Sequence, residues 1–197
     1  MTEERDIELF VLKNAAMTRS LRQIFNAENI GNSRGALEAQ ADSLVSDYLK
    51  QVDFKVLVNA KRMSEFYMLF YALENDIRDL IESTLIESFG DDWWGVAVPQ
   101  FVRDNVQKNY DREAAEGLPP RSDRMIDYST FGELGEIVKE NWEIFSGMFS
   151  NATRNRVLRL INRLNLVRGP IAHCNLLPEE EAIRLKLAIR DWYKLME

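Results

Sequence analysis

The 197 residues (22.9 kDa) are 46% hydrophobic and 29% charged, enough apolar material for one buried core and too much for wholesale disorder. Nine Gly, five Pro and a single Cys exclude collagen-like, mucin-like and disulfide-scaffold classes. A net charge of −7 argues against a general nucleic-acid binder. One His and one Cys, His173 and Cys174, exclude multi-His and Cys-cluster metal sites within one chain.

A carboxylate-only site for magnesium or calcium stays open on composition, but no motif calls for a metal or any other cofactor. No apolar run approaches the roughly 18 residues needed to span a bilayer. The opening Met1-Thr2-Glu3-Glu4-Arg5 is acidic and lacks a basic-then-apolar leader. A soluble cytoplasmic protein without membrane contact is the expectation.

In chain order, residues 6–25 mix apolar and basic side chains at helical spacing, and 29–35 is a break rich in turn formers. A helix is predicted over 36–52. Phe54-Lys55-Val56-Leu57-Val58 reads as helix or irregular chain. The clearest element covers 64–89, where Phe66, Leu69, Phe70, Leu73, Ile77, Leu80, Ile81 and Thr84 form one apolar stripe. Gly90 would end it in a left-handed cap. Residues 91–95 follow as a tight aromatic turn, with Trp93 and Trp94 as core or interface anchors.

A further helix is predicted over 98–115, and 117–123 reads as the most mobile loop of the chain. The capping box Thr130-x-x-Glu133 starts a helix running to 149, weakened at Gly132 and Gly135. Ser150-Asn151 is a break. An Arg-rich helix spans 153–167 with Val157, Leu160, Ile161, Leu164 and Val167 inward, and Gly169-Pro170 interrupts or kinks it. Pro178, at a first helical position, opens the last helix with Glu179, Glu180 and Glu181 at its positive end. Its apolar face is Ala182, Leu185, Ile189, Trp192 and Met196. No segment alternates with period two. The fold class is all-α: residues 61–197 form a helical bundle, and 1–60 an N-terminal helical extension.

Charge is unevenly placed. No acid lies between Glu143 and Glu179, a stretch that holds Arg154, Arg156, Arg159, Arg163 and Arg168, so the rest of the chain carries −12. These arginines either pair with acids on neighbouring helices or bind phosphates, for which guanidinium forks are suited. Arg156, Arg159 and Arg163 are the candidate phosphate or RNA contacts. Arg168-Gly169-Pro170-Ile171-Ala172-His173 is the sharpest constellation: an opened backbone at Gly-Pro could bring residues five apart to one spot. Glu74 and Arg78 form either an ordinary intrahelical pair or a support for Arg168 or His173 from the adjacent helix, with Tyr67 and Tyr71 on the same side. Cys174 reads as a buried small hydrophobe.

The run Leu164 to His173 resembles the HEPN superfamily (higher eukaryotes and prokaryotes nucleotide-binding), small helical bundles marked by Arg, four to six residues, then His. Tyr71-x-x-Glu74-x-x-x-Arg78-x-Leu80-Ile81, then Phe89-Gly90-Asp91-Asp92-Trp93-Trp94, is similar to the first core helix of one HEPN branch. Asn141-Trp142-Glu143-Ile144-Phe145 is similar to a middle helix. The likeness spans residues 64–197. Two positions depart from the pattern: Gly169 stands where active members usually carry a polar residue after the motif Arg. Asn175 stands where some HEPN toxins carry a modifiable Tyr.

The resemblance implies metal-independent RNA cleavage by a toxin or defence effector, answering to an antitoxin or other regulatory partner. His173 would be general base on the ribose 2′-OH, and Arg168 would stabilise charge on the phosphate. Two protomers would pair their motifs in a homodimer, giving one imidazole for base and one for acid. The alternatives are a catalytically silent HEPN module that dimerises or binds nucleotide or RNA, and an unrelated helical adaptor.

Overall fold

The computed structural model describes residues 34–149 and 152–196, so the expected helix over 6–25 and the break at 150–151 lie outside the described residues. Among the described residues there is no strand, and the all-α class holds. No helix among them is long and apolar enough to cross a membrane. The chain divides into two compact units, Met1–Leu57 and Val58–Glu197. In the first, helix α1 (Arg34–Leu49) starts two residues before and ends three before the predicted bounds.

Helix α2 (Phe54–Phe89) absorbs the ambiguous segment at 54–58 and runs on through the predicted stripe. Phe66, Phe70, Leu73, Ile77, Ile81, Thr84 and Leu85 are buried, with Leu69 and Leu80 packed at the margin. The stripe also buries Glu74, which no apolar pattern would select. Gly90, at φ +68°, ends the helix in the left-handed region open to glycine at least cost.

The expected aromatic turn at 91–95 is instead helical: a 3-10 turn (Gly90–Asp92) leads into α3 (Trp93–Ala97). Trp93 is buried, and its ring meets Trp94 edge-on at 5.3 Å. Burial of one indole and half-burial of the other hold this turn in a compact helical path. Helix α4 (Gln100–Ala115) follows Pro99 and buries Val102 and Val106.

Residues 117–123 form the expected loop, and its second half makes several contacts. Arg121 forms a salt bridge with Glu113 and lies 4.9 Å over the Tyr128 ring. The Tyr128 hydroxyl accepts from the Arg121 amide (3.1 Å) and donates to the Ser122 carbonyl (3.2 Å). Arg124 reaches across to α2, 2.7 Å from Asp79 and 3.0 Å from Glu82. Burial pushes the Glu82 carboxyl above its ordinary range, with Asp127 and Asp79 adding to the rise and Arg124 opposing it.

The capping box forms as predicted: Thr130 accepts from the Glu133 amide, and the Glu133 carboxylate accepts from the Thr130 amide at 2.7 Å. The helix it starts does not run to 149. Helix α5 (Phe131–Glu140) stops at Asn141, and α6 (Trp142–Phe145) and a 3-10 turn (Ser146–Met148) follow as separate pieces. Asn141 causes the break by donating its side-chain amide to both the Ile137 and the Ala97 carbonyls, each at 2.9 Å. This bend carries Phe149 between Trp142, stacked at 5.8 Å, and Trp192, edge-on at 5.7 Å.

Helix α7 (Arg154–Ala172) packs on α5 and on the last helix, α8 (Glu179–Met196). Its predicted inward face is buried as expected, extended by Ile171. Pro178 lies one residue before α8 and gives its carbonyl to the Ala182 amide at 2.9 Å, so it caps rather than opens the helix. Tyr193 on α8 donates its hydroxyl to Asp76 on α2 at 3.0 Å. Burial, together with that bond and the Asp76 charge, raises the phenol to about 12.

The two glycines of α5 have a positive role. A Cβ on Gly135 would meet Ile161 Cγ2 at 3.0 Å, and one on Gly132 would meet Asn165 Nδ2 at 3.2 Å. Gly135 faces a buried β-branched side chain that cannot withdraw, whereas Asn165 is exposed and can swing aside. Gly135→Val should therefore lower unfolding free energy by about 1–3 kcal/mol in urea titration. Gly132→Ala should be near neutral, because its helix-propensity gain offsets the displaced amide.

Candidate functional site: a cleft between α2 and α7

Four positions on α2 fall in line at helical steps: Tyr67, Tyr71, Glu74 and Arg78. They form one wall of a cleft of about 410 Å³. The other walls come from Arg121, Ser122 and Asp127 in the connecting segment and from Arg168, Ile171 and Ala172 on α7. Phe70 and Ile171, both buried, give it an apolar lining.

Glu74 is the centre of the polar wall. One carboxylate oxygen lies 2.5 Å from the Arg78 guanidinium, and the other lies 3.7 Å from Arg168 Nε. Arg78 donates as well to the Ser129 carbonyl at 3.2 Å, and its Nε lies 3.9 Å from Asp127. The Glu74 and Arg78 side chains are each 11% exposed, whereas Arg168 is 37% exposed and reaches solvent in the cleft. A carboxylate and two guanidiniums thus form a chain in which the outermost cation, Arg168, retains donors for an incoming anion. Sequence spacing places Glu74 beside Arg78 and allows a support for Arg168 or His173; the structure brings the Glu74 carboxylate to Arg168.

The local course of α7 differs from the expectation. Gly169 and Pro170 do not open the backbone, and the helix continues through both to Ala172. Pro170 lacks a donor for the Leu166 carbonyl, but Leu166 is 78% exposed, so water can serve that oxygen. Gly169 carries no Cβ to clash with the proline ring, which removes part of the usual penalty on the preceding residue. In a continuous helix five positions turn the direction by about 140°. Arg168 shares a face with Ile171 and Ala172, whereas His173 falls in line with Asn162, Leu166 and Gly169 on the outer side. His173 is exposed and does not line the cleft.

His173 is nevertheless held. It is the C-cap of α7, and the chain beyond it closes back on the last turn. The Cys174 amide donates to the Ile171 carbonyl (3.4 Å) and the Asn175 amide to the Pro170 carbonyl (2.9 Å), the paired bonds of a Schellman end. That motif requires a left-handed residue after the cap, and Cys174 supplies it at φ +56°. Cys174 is therefore exposed, not the buried hydrophobe expected, because the reversal at the helix end turns its side chain outward.

The arginine run is divided between environments. Arg168 faces the cleft, and Arg154 donates to the Lys139 carbonyl at 2.7 Å. Arg156, Arg159 and Arg163 line a second, smaller cleft of about 190 Å³ beside Asp191 of α8. Among the described residues these three have no ion-pair partner. No group of three or more His, Cys, Asp or Glu side chains among the described residues is placed to hold a metal ion.

Because Glu74 is the counter-ion of a mostly buried guanidinium, its removal leaves that charge without its nearest partner on a poorly hydrated wall. Glu74→Ala should lose about 3 kcal/mol in denaturant unfolding, with Asp127 limiting the loss. Glu74→Gln should lose less, since an amide oxygen still accepts from Arg78.

Comparison of the chain with curated proteins and with solved structures found no match. A protein-family model described as Swt1-like HEPN matches residues 68–197, which takes in α2 from Met68 onward and every later helix. With two thirds of its length matched and an all-helical fold around an Arg-x4-His segment, the chain belongs to the Swt1-like HEPN family.

Proposed function

We propose that this HEPN domain is a metal-independent endoribonuclease whose working site is assembled from two copies of the chain. The observation that carries the reading is the placement of the motif pair. Arg168 reaches a cleft with its guanidinium oriented by Glu74, while His173 stands exposed on the other side of the same helix. One chain offers the two groups in divergent directions, and a two-fold pairing lets Arg168 of one protomer serve a phosphate beside the partner's His173.

The chemistry follows from the side chains. One imidazole takes the proton of the ribose 2′-OH as that oxygen attacks the adjacent phosphorus. Arg168 stabilises the added negative charge with a planar two-donor fork. The bond to the 5′-oxygen breaks, and the second imidazole gives that oxygen its proton. The products are a 2′,3′-cyclic phosphate and a 5′-OH. Arg156, Arg159 and Arg163, with no acid paired to them among the described residues, serve the flanking phosphates.

One observation favours a second reading, a silent module that binds RNA or nucleotide and dimerises. Gly169 leaves empty the position next to the motif arginine, with open space where a side chain would stand. Cleavage of single-stranded RNA in EDTA separates the two. The catalytic reading expects cyclic 3′ ends, intact DNA, and loss of at least about 100-fold in rate for His173→Ala, the low end of general acid–base contributions. Arg168→Lys should also be severely impaired, with fold and dimer retained in both variants. Equal inactivity of wild type and His173→Ala, with equal RNA binding, selects the silent module.

A further inference from the structure

Tyr67 and Tyr71 do not take part in the chemistry just described, yet they stand at its entrance. They are 60% and 61% exposed, one turn apart on α2, with ring centroids 6.2 Å apart and planes tilted by 33°. Such a pair is neither face-stacked nor edge-packed, so each ring keeps a flat face available. The neighbours in line are Glu74 and Arg78, and Arg168 lies across the cleft. An isolated exposed tyrosine needs no explanation. Two in register, opening on a cleft that also holds a solvent-reaching guanidinium, form a sequence of aromatic face and then cation.

We infer that Tyr67 and Tyr71 are a nucleobase-stacking platform that seats single-stranded RNA in the cleft, with the adjoining phosphate on Arg168. The inference rests on the RNA-directed reading above and adds the residues that position the strand. Three observations carry it. The cleft, at about 410 Å³, is of the size that takes a small ligand, enough for one base with its sugar and phosphate. Its lining supplies the two surfaces a nucleotide presents: flat aromatic and apolar faces at Tyr67, Tyr71 and Ile171 for the base, and Arg168 for the phosphate. Its lining holds two acids, Glu74 and Asp127, against three arginines, Arg78, Arg121 and Arg168, and both acids face Arg78, so the field at the solvent-reaching Arg168 favours an anion. Stacking on tyrosine is tolerant of base identity, because every base has a π-face; the platform fixes the position of the strand rather than its sequence. A duplex would not fit the mode, since its bases are already stacked on one another.

The test uses the full chain and a fluorescently labelled, mixed-sequence 2′-O-methyl oligoribonucleotide. Capping the 2′-oxygen prevents cleavage, so binding is read apart from catalysis. Tyr67→Leu and Tyr71→Leu keep apolar bulk but remove the flat ring, and each should weaken binding roughly ten-fold by anisotropy. Tyr67→Phe and Tyr71→Phe keep the ring and should stay within about two-fold of wild type, because stacking on the ring face does not use the hydroxyl. An abasic residue scanned along the oligonucleotide should, at one position, erase the difference between Tyr71→Leu and wild type. Leucine variants that bind as tightly as wild type overturn the inference, even if wild type cleaves natural RNA normally. Tyrosine-dependent binding by a protein that cleaves nothing leaves the platform standing and overturns only the nuclease reading. If the leucine variants instead fall from dimer to monomer in light scattering, the rings belong to a protein interface and the inference fails.

Discussion

A carboxylate buried in an apolar stripe has to be compensated, and the architecture around Glu74 is that compensation. Desolvating a carboxylate carries a penalty of several kcal/mol unless a cation and further hydrogen bonds meet it. Arg78, one turn away on the same helix, supplies the charge; it also donates to the Ser129 carbonyl, and the Asp127 carboxylate lies 3.9 Å from its Nε. The segment before α5 meets α2 there through Ser129, Asp127 and Arg124, while Arg121 holds it to Glu113 on α4 and Ser122 bonds Asp127 within it. The second Glu74 oxygen is left facing α7, and it meets Arg168. The polar wall of the cleft is thus a consequence of one buried acid, and the orientation of the motif arginine is set from the neighbouring helix.

The same constraint explains what could and could not be read from residue order. Apolar periodicity located α2, α7 and α8 because burial of a stripe is a local property of spacing. It passed over Glu74, since a pattern of apolar positions has no means of predicting that an acid will be neutralised inside. It carries no sign of the contacts that the loop at 117–123 makes, for a related reason. Gly and Pro report backbone freedom, whereas the contacts there come from Tyr128 and Glu113, and those of the adjoining Arg124 from Asp79, 45 residues away. The single helix predicted to 149 broke at Asn141, whose amide prefers two carbonyls, one of them on α3, to a passive place on a helix face. Gly132 and Gly135 looked like defects of α5 and are contact points for α7.

For the candidate site, residue types and spacing gave the members but not their directions. Arg168 and His173 are both visible in the sequence, as is their likeness to the HEPN motif. Whether Gly-Pro bends the helix between them depends on details that spacing does not contain: the missing Cβ before the proline and the solvent exposure of Leu166. The helix stays continuous, and the two side chains diverge. The arginine run divides likewise, since five cations on nineteen helical residues necessarily face several directions.

Divergence of Arg168 and His173 within one chain is the central claim, and mixing two inactive variants tests it most directly. Arg168→Ala and His173→Ala, each unable to cleave RNA alone, are unfolded together and refolded in equal amounts so that mixed dimers form. A site assembled across two chains predicts that the mixture, with Arg168 from one chain, His173 as base from the other and water in place of the second imidazole, cleaves well above either parent though below wild type. Mixed dimers that form, as native mass spectrometry would register, yet stay as inactive as either parent would contradict it.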